Sequence, residues 1–209
     1  MQSSPPPVAE ITTLFWDIGG VVLTNGWDRH ARRNCVDSFG LDWEEFADRH
    51  EFVAHDFEVG RINLDQYLLR TIFYRDRPFQ PGEFAAAMKA ESQPLPGTLD
   101  LLAELAAAGH LMLTLNNESL ELNEHRISAF GLRDYFSGFL SSCYLGVKKP
   151  EPGIYRLAFQ ITQRRPDECL FIDDRSLNLE CARDEGLNGI QFTSADQLRW
   201  RLTDAGVLG

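Results

Sequence analysis

Five short apolar runs punctuate the chain, at residues 13–16, 111–115, 139–142, 169–172 and 189–192. Each ends in polar residues or glycine, as buried strands do. Between them, apolar positions recur at helical spacing. Pro96-Gly97-Thr98 opens one such stretch, carried by Leu99, Leu102 and Leu105 and closed by Gly109, with glycine at the usual stop position. Residues 119–130, 153–161 and 176–185 follow the same logic, the last closed by Gly186. Strands alternating with such helices predict an α/β fold, a Rossmann-like parallel sheet flanked by helices on both faces.

Residues 17–110 separate the first two runs, far more than a simple crossover needs. This stretch carries its own helical patterns, at residues 29–39, 42–55, 64–74 and 82–91. Trp43, Phe46, Phe52, Phe57, Tyr67, Phe73 and Phe84 offer it an aromatic core of its own. The expected organisation is an α/β core domain of residues 1–24 and 96–209, interrupted by a helical cap subdomain of residues 25–95.

Composition narrows the function classes. Of 209 residues, 44% are hydrophobic and 24% charged, which excludes disorder, collagen and coiled coil as the dominant state. A chain of this length needs no disulfide or structural metal to hold a core. Asp and Glu number 31 against 20 Lys and Arg, a net charge of -11. Such a surface repels phosphate backbones and anionic membranes, so neither nucleic acid nor membrane is an expected partner. No apolar run approaches the roughly 18 residues of a membrane span. Residues 1–10, with Pro5, Pro6 and Pro7, lack the basic and apolar regions of a signal peptide. Cys35, Cys143, Cys169 and Cys181 form no C-x-x-C pair and read as four buried thiols in a reducing, cytoplasmic compartment. His30, His50, His55, His110 and His125 show no metal-ligand spacing. Arg29, Arg32 and Arg33 read as a solvated helix face, or as a cap helix that meets the substrate.

In open parallel sheets, ligands bind beyond the carboxyl ends of the strands. Asp17-Ile18-Gly19-Gly20 follows the first strand, and Asn116-Asn117 the second. Lys148-Lys149-Pro150 follows the third, and Asp173-Asp174 the fourth, with Asn178 one helical turn on. Adjacent carboxylates at a buried strand end repel unless a cation sits between them. Oxygen donors of this kind suit Mg²⁺, and a lysine nearby supplies a point charge for a phosphate. Glycines after Asp17 let the backbone approach an anion.

These four pieces, in this order, resemble the haloacid dehalogenase-like hydrolase superfamily over nearly the whole chain: Phe15-Trp16-Asp17, Leu115-Asn116, Lys149-Pro150, and Phe171-Ile172-Asp173-Asp174 with Asn178. The helical insertion sits where relatives with a small cap carry theirs. The resemblance implies a Mg²⁺-dependent phosphatase acting on a small phosphorylated metabolite through an aspartyl-phosphate. Asp17 would be nucleophile and metal ligand, with the Gly19 carbonyl, Asp174 and Asp173 completing the metal site. Lys149, the lysine before Pro150, would neutralise charge, leaving Lys148 as a solvated neighbour. Asn116, with Gly20 and Asn117 beside the anion, would hold the transferred oxygens.

Two positions depart from the superfamily's pattern. Its phosphatases carry a second aspartate two places after the nucleophile, where this chain has Gly19. Ser or Thr usually precedes the Asn of the second strand, where this chain has Leu115, with Thr114 one place early and directed to the opposite face. The resemblance therefore also admits a 2-haloacid dehalogenase, which lacks that second aspartate too, and a catalytically impaired phosphate-binding protein. Dehalogenases of the superfamily lack an Asp-Asp pair, so Asp173-Asp174 favours the metal-dependent branch.

Overall fold

The computed structural model describes residues 10–209, and the Pro-rich leader expected to be no signal peptide lies outside the described residues up to position 9. Strand β1 (Thr13–Trp16) is followed by helices α1 (Arg29–Ser38), α2 (Trp43–Glu58), α3 (Leu64–Thr71), α4 (Pro81–Ala90) and α5 (Thr98–Ala107). Then come β2 (Leu111–Asn116), α6 (Leu120–Ala129), β3 (Gly138–Ser141), α7 (Ser142–Leu145) and α8 (Pro152–Thr162). The chain ends with β4 (Cys169–Asp173), α9 (Ser176–Asp184), β5 (Asn188–Gln191) and α10 (Ala195–Asp204).

The five strands form one parallel sheet in the order β3-β2-β1-β4-β5. Trp16 lies in register with Thr114 and Ile172, so Asp17 emerges at the centre of the carboxyl edge, where the strand order reverses. Leu14, Trp16, Met112 and Ile172 face one side of the sheet, and Phe15, Leu113, Leu115 and Phe171 the other. Both sides are buried around β1, β2 and β4, which is why these strands read as mostly apolar runs. Leu101 and Leu105 of α5, with Leu198 and Leu202 of α10, cover the first face. Ile154 and Tyr155 of α8, with Leu179 of α9, cover the second.

Most predicted elements appear within one to three residues of their expected ends. The third strand stops at Ser141 rather than 142. Ser142 starts the short helix α7 because its hydroxyl is engaged away from the sheet. It donates to the Glu58 carbonyl at 2.6 Å and accepts the Glu118 N–H at 3.0 Å. Helix α10 goes beyond the predicted elements: the Ser194 hydroxyl caps it through the Gln197 N–H, and two leucines four residues apart seat it on the sheet.

The inserted helices α1 to α4 have their own apolar cluster, built on Trp27, Phe46, Phe57, Tyr67, Leu68 and Phe84, with Leu122 of α6 joining it from the sheet side. Phe52 does not belong to this cluster as expected; it is 82% exposed. On α2 the buried residues Phe46, Val53 and Phe57 share one stripe, and Phe52 is turned off it by one residue. The cysteines also differ from expectation: Cys35 and Cys169 are buried, but Cys143 and Cys181 are partly exposed, all four being free thiols. Among the described residues no helix is long and apolar enough to cross a membrane.

Gly60, just beyond α2, marks where the insertion presses on the core. It has a φ of 72°, and a Cβ there would stand 2.4 Å from the Cys143 carbonyl oxygen. Gly60→Ala is expected to destabilise the protein by about 2–4 kcal/mol, from left-handed strain plus a backbone clash that no side chain can relieve. Urea unfolding reads this directly; a loss below about 0.5 kcal/mol would mean the two segments separate easily.

Candidate functional site

Asp17 continues β1, its N–H donating to the Ile172 carbonyl at 2.8 Å and its Oδ1 accepting the Ile18 N–H at 2.8 Å. The backbone thus fixes the carboxylate at the sheet edge. Asp173 ends β4 beside it. Lys149 arrives from the β3 side and places its Nζ 3.0 Å from Asp17 Oδ2 and 2.6 Å from Asp173 Oδ2. All three are buried. Burial, with Asp173 and Asp174 alongside, pushes the Asp17 carboxyl up to about 7 against the pull of Lys149. Burial also works against the Lys149 charge, but Asp17 and Asp173 outweigh it and hold the ammonium above its ordinary value.

The carboxylates differ in how they are engaged. Asp173 is saturated: Lys149 and the Asn178 amide bind Oδ2, while the Arg175 N–H and the same amide bind Oδ1. Asp174 Oδ1 is buried and has no hydrogen-bond partner. Burial first, and Asp173 second, raise its carboxyl above the usual range. Oxygens of Asp17, Asp173 and Asp174 lie within 4.8 Å of one another. An all-oxygen donor set with one orphaned carboxylate oxygen and excess negative charge fits a hard divalent cation. Gly20 makes room for it: its φ is 78°, and a Cβ there would lie 2.5 Å from Asp174 Oδ2.

Asn116, the last residue of β2, and Asn117 after it have their amides engaged by protein groups. The Asn116 amide is buried, accepting the Ser141 hydroxyl at 2.8 Å and donating to Asn123 Oδ1 at 3.2 Å. The Asn117 amide brackets the Lys149 backbone, donating to its carbonyl and accepting its N–H, each at 2.8 Å. Both side chains are engaged with protein groups, and Asn117 holds the lysine in place. Thr114 stays buried in the strand with its hydroxyl unpartnered, as a core-facing residue.

Above this floor opens a cavity of about 360 Å³, walled on the far side by α1 and α2 through Arg29, Arg32, His50 and Glu58. Of the two readings of these arginines, Arg29 and Arg32 fit a helix that faces the cavity. Arg32 donates to the Trp27 carbonyl at 2.6 Å, and burial lowers its pKa. Arg29 stays exposed while bordering the cavity, and Arg33 pairs with Asp37 outside it. His50 is no metal ligand. Trp27 Nε1–H donates to the Tyr67 hydroxyl at 2.8 Å, which leaves the hydroxyl hydrogen for His50 Nδ1, also at 2.8 Å. Burial, then Arg32 and Lys148, push His50 down to about 3. The ring is neutral, with its hydrogen assigned to Nε2 by this network. Lys148, expected to be solvated, reaches across to Glu58 at 2.5 Å and ties α2 to the core.

Gly19 lines the cavity with a φ outside the left-handed region. A Cβ there would meet Asn25 Oδ1 at 3.4 Å and Arg126 Nη1 at 3.6 Å, ordinary contacts. Arg126 was not singled out from sequence, yet it is 2% exposed and borders the same cavity. It pairs with Glu118 at 3.1 Å and donates to Ser92 Oγ and the Thr24 carbonyl. Gly26 permits this placement, since a Cβ there would sit 1.5 Å from Arg126 Nη2. The available signal was its position: Arg126 falls on the buried stripe of α6 with Leu122 and Ile127. Glu118, in a polar loop, carried no such signal.

A family model for haloacid dehalogenase-like hydrolases matches residues 11–186 of the chain. Flavin mononucleotide hydrolase 1 of Arabidopsis thaliana is 31% identical over 172 residues, covering 81% of this chain and 69% of that protein. Glyceraldehyde 3-phosphate phosphatase of Pyrococcus furiosus is 25% identical over 197 residues, covering 87% and 80%. Among solved structures, a HAD family enzyme of Bacteroides thetaiotaomicron, in complex with magnesium and inorganic phosphate, superposes with a TM-score of 0.72. It is 22% identical and covers 88% of this chain and 95% of that one.

Proposed function

The chain belongs to the haloacid dehalogenase-like hydrolases, and from that premise we propose that it is a Mg²⁺-dependent phosphatase of a small phosphorylated substrate. The observation that carries this reading is the Asp17–Lys149–Asp173–Asp174 cluster at the carboxyl edge of the sheet, with Asp17 and Lys149 lining the cavity. One relative named a phosphatase, another named a flavin mononucleotide hydrolase, and the magnesium and phosphate complex of a structural neighbour support it. The inserted helices, residues 25–95, act as the cap that shapes the substrate, and free cysteines suit a reducing, cytoplasmic setting.

Asp17 Oδ2 attacks phosphorus, the bond to the leaving oxygen breaks, and an aspartyl-phosphate forms on Asp17. Lys149 neutralises charge on Asp17 and on the phosphoryl oxygens without moving, because Asp173 and the Asn117 bracket hold it at both ends. Asp17, Asp174 and the Gly19 carbonyl are the donors that would hold Mg²⁺, which when bound offsets the carboxylate charge and polarises the phosphoryl group. Asp173 acts chiefly through Lys149, its oxygens being otherwise engaged. The walls of the cavity orient the leaving group and exclude water.

The test is phosphate release from a panel of phosphomonoesters, with and without Mg²⁺. Release should depend on Mg²⁺ and fall at least about 100-fold in Asp174→Ala, and Mg²⁺ should no longer raise the melting temperature of that variant. Metal-independent halide release from 2-haloacids, without phosphate release, would replace this reading with the dehalogenase one.

A further inference from the structure

Phosphoryl transfer through Asp17 needs a proton for the leaving oxygen and a base for the attacking water, and Gly19 supplies neither. Four carboxylates border the cavity: Asp17, Asp28, Glu58 and Glu118. Asp17 is the nucleophile. Asp28 caps α1 through the Ala31 N–H, and Glu58 is paired with Lys148. Glu118 is the buried one among the other three, and its partner is Arg126, a cavity-lining residue itself, rather than a lysine reaching in from outside.

Its placement is specific. Arg126 Nη1 is 3.1 Å from Glu118 Oε2 and would be 3.6 Å from a Cβ on residue 19. The guanidinium therefore spans the space between Glu118 and the position where relatives carry an aspartate. Arg126 is itself fixed from behind by Ser92 and the Thr24 carbonyl. The other Glu118 oxygen accepts the Ser119 N–H at 3.0 Å, so the carboxylate is held at both ends. A buried pair serving only stability has no need to border the reaction cavity, as this one does.

We propose that Glu118, oriented by Arg126, is the general acid and base of this site, in place of a carboxylate at position 19. The inference rests on the phosphatase reading. In the first step Asp17 bonds to phosphorus, and the electron pair of the breaking bond passes to the leaving oxygen. Protonated Glu118 gives that oxygen its proton and becomes a carboxylate beside Arg126. In the second step the Glu118 carboxylate takes a proton from water as the water oxygen bonds to phosphorus. The bond from phosphorus to Asp17 breaks, its electrons return to the Asp17 carboxylate, and Glu118 is protonated again. Burial raises the Glu118 carboxyl above its ordinary value, while Arg126 and the Ser119 N–H pull the other way.

The experiment is rapid-quench kinetics of Glu118→Gln on a matched alkyl and aryl phosphate. Alkyl phosphate turnover should fall roughly 10²–10⁴-fold. An aryl leaving group needs no proton, so the aryl substrate should give a burst of phenol followed by slow turnover, with phosphate accumulating on Asp17. Adding Gly19→Asp, at a position with room for a side chain, should restore alkyl turnover at least about tenfold. If Glu118→Gln melts below the assay temperature, the neutral pair Glu118→Gln with Arg126→Met carries the same measurements. Alkyl turnover within about threefold of wild type, or equal slowing of both substrates without a burst or rescue, overturns the assignment. In that case, an Asp17-dependent phosphoenzyme in the wild type leaves the phosphatase reading standing. A wild type that forms no phosphoenzyme overturns both.

Discussion

Asp17→Asn is expected to abolish phosphate release, by at least about 10⁴-fold, while leaving the fold intact. The amide keeps the shape of the carboxylate, and the backbone bond that fixes residue 17, from its N–H to the Ile172 carbonyl, does not involve the side chain. Its oxygen is a far poorer nucleophile and a poorer ligand for Mg²⁺. Stability should respond in a particular direction. The native environment raises the Asp17 carboxyl from 3.8 to about 7, chiefly through burial. Between these values the folded protein binds a proton that the unfolded chain has released, so stability falls as pH rises from about 4 to about 7. Asn cannot titrate. Without Mg²⁺, Asp17→Asn should therefore gain on the wild type across that window, by up to about 4 kcal/mol. Urea unfolding in chelator at pH 5 and pH 8 measures it. A gap that shrinks with rising pH would mean that the charge on Asp17 is welcomed, and residual turnover near wild type would remove Asp17 from the nucleophile's place.

The α/β architecture was legible because the sheet is covered on both faces. Its inner strands β1, β2 and β4 are buried, mostly apolar runs of four to six residues, each with turn chemistry at its end. Strand order was not legible: nothing in the composition of residues 13–16 says that β1 is central, a fact fixed by pairing with β2 and β4. Ends were misplaced where a side chain made a long-range bond. Ser142 reads as strand by pattern and becomes helix through Glu58 and Glu118. Phe52 shows the opposite failure. An aromatic residue in a helix of aromatics invites burial, and only its phase on α2 decides otherwise.

The site followed a similar division. Asp17, Asp173 and Asp174 stand at strand ends and Lys149 in the segment that follows β3, where the parallel-sheet rule brings them to one edge. Side chains whose role is to hold other side chains gave no such signal. The Asn117 bracket on Lys149 and the Tyr67 link to His50 join residues 32 and 17 positions apart. Arg126 and Glu118 were hidden for another reason: a charged residue in a helix or loop is ordinarily solvated, and burial is what makes this pair informative.

Lys149→Met should produce the largest loss of stability of any single change in the site. The ammonium lies between Asp17 and Asp173, and removing it leaves three carboxylates crowded together with no cation, their oxygens within 4.8 Å. Breaking a buried pair by deleting one partner costs about 3–5 kcal/mol, because the remaining charge is neither solvated nor matched. Methionine fills much of the same volume, so the loss reports charge rather than a cavity. Two signatures distinguish this from generic damage. The deficit should be larger at pH 8 than at pH 5, since protonation of the carboxylates removes the repulsion at low pH. It should also narrow when Mg²⁺ is added, because a bound cation supplies part of the missing charge. Turnover should still fall at least about 10³-fold in saturating Mg²⁺, as the ammonium that meets the transferring phosphoryl group is gone. Chemical unfolding at the two pH values, with Mg²⁺ or chelator, separates these terms. A deficit equal at both pH values and blind to Mg²⁺ would show that Lys149 stabilises the fold through its packing, and that the carboxylates around it tolerate one another without a cation.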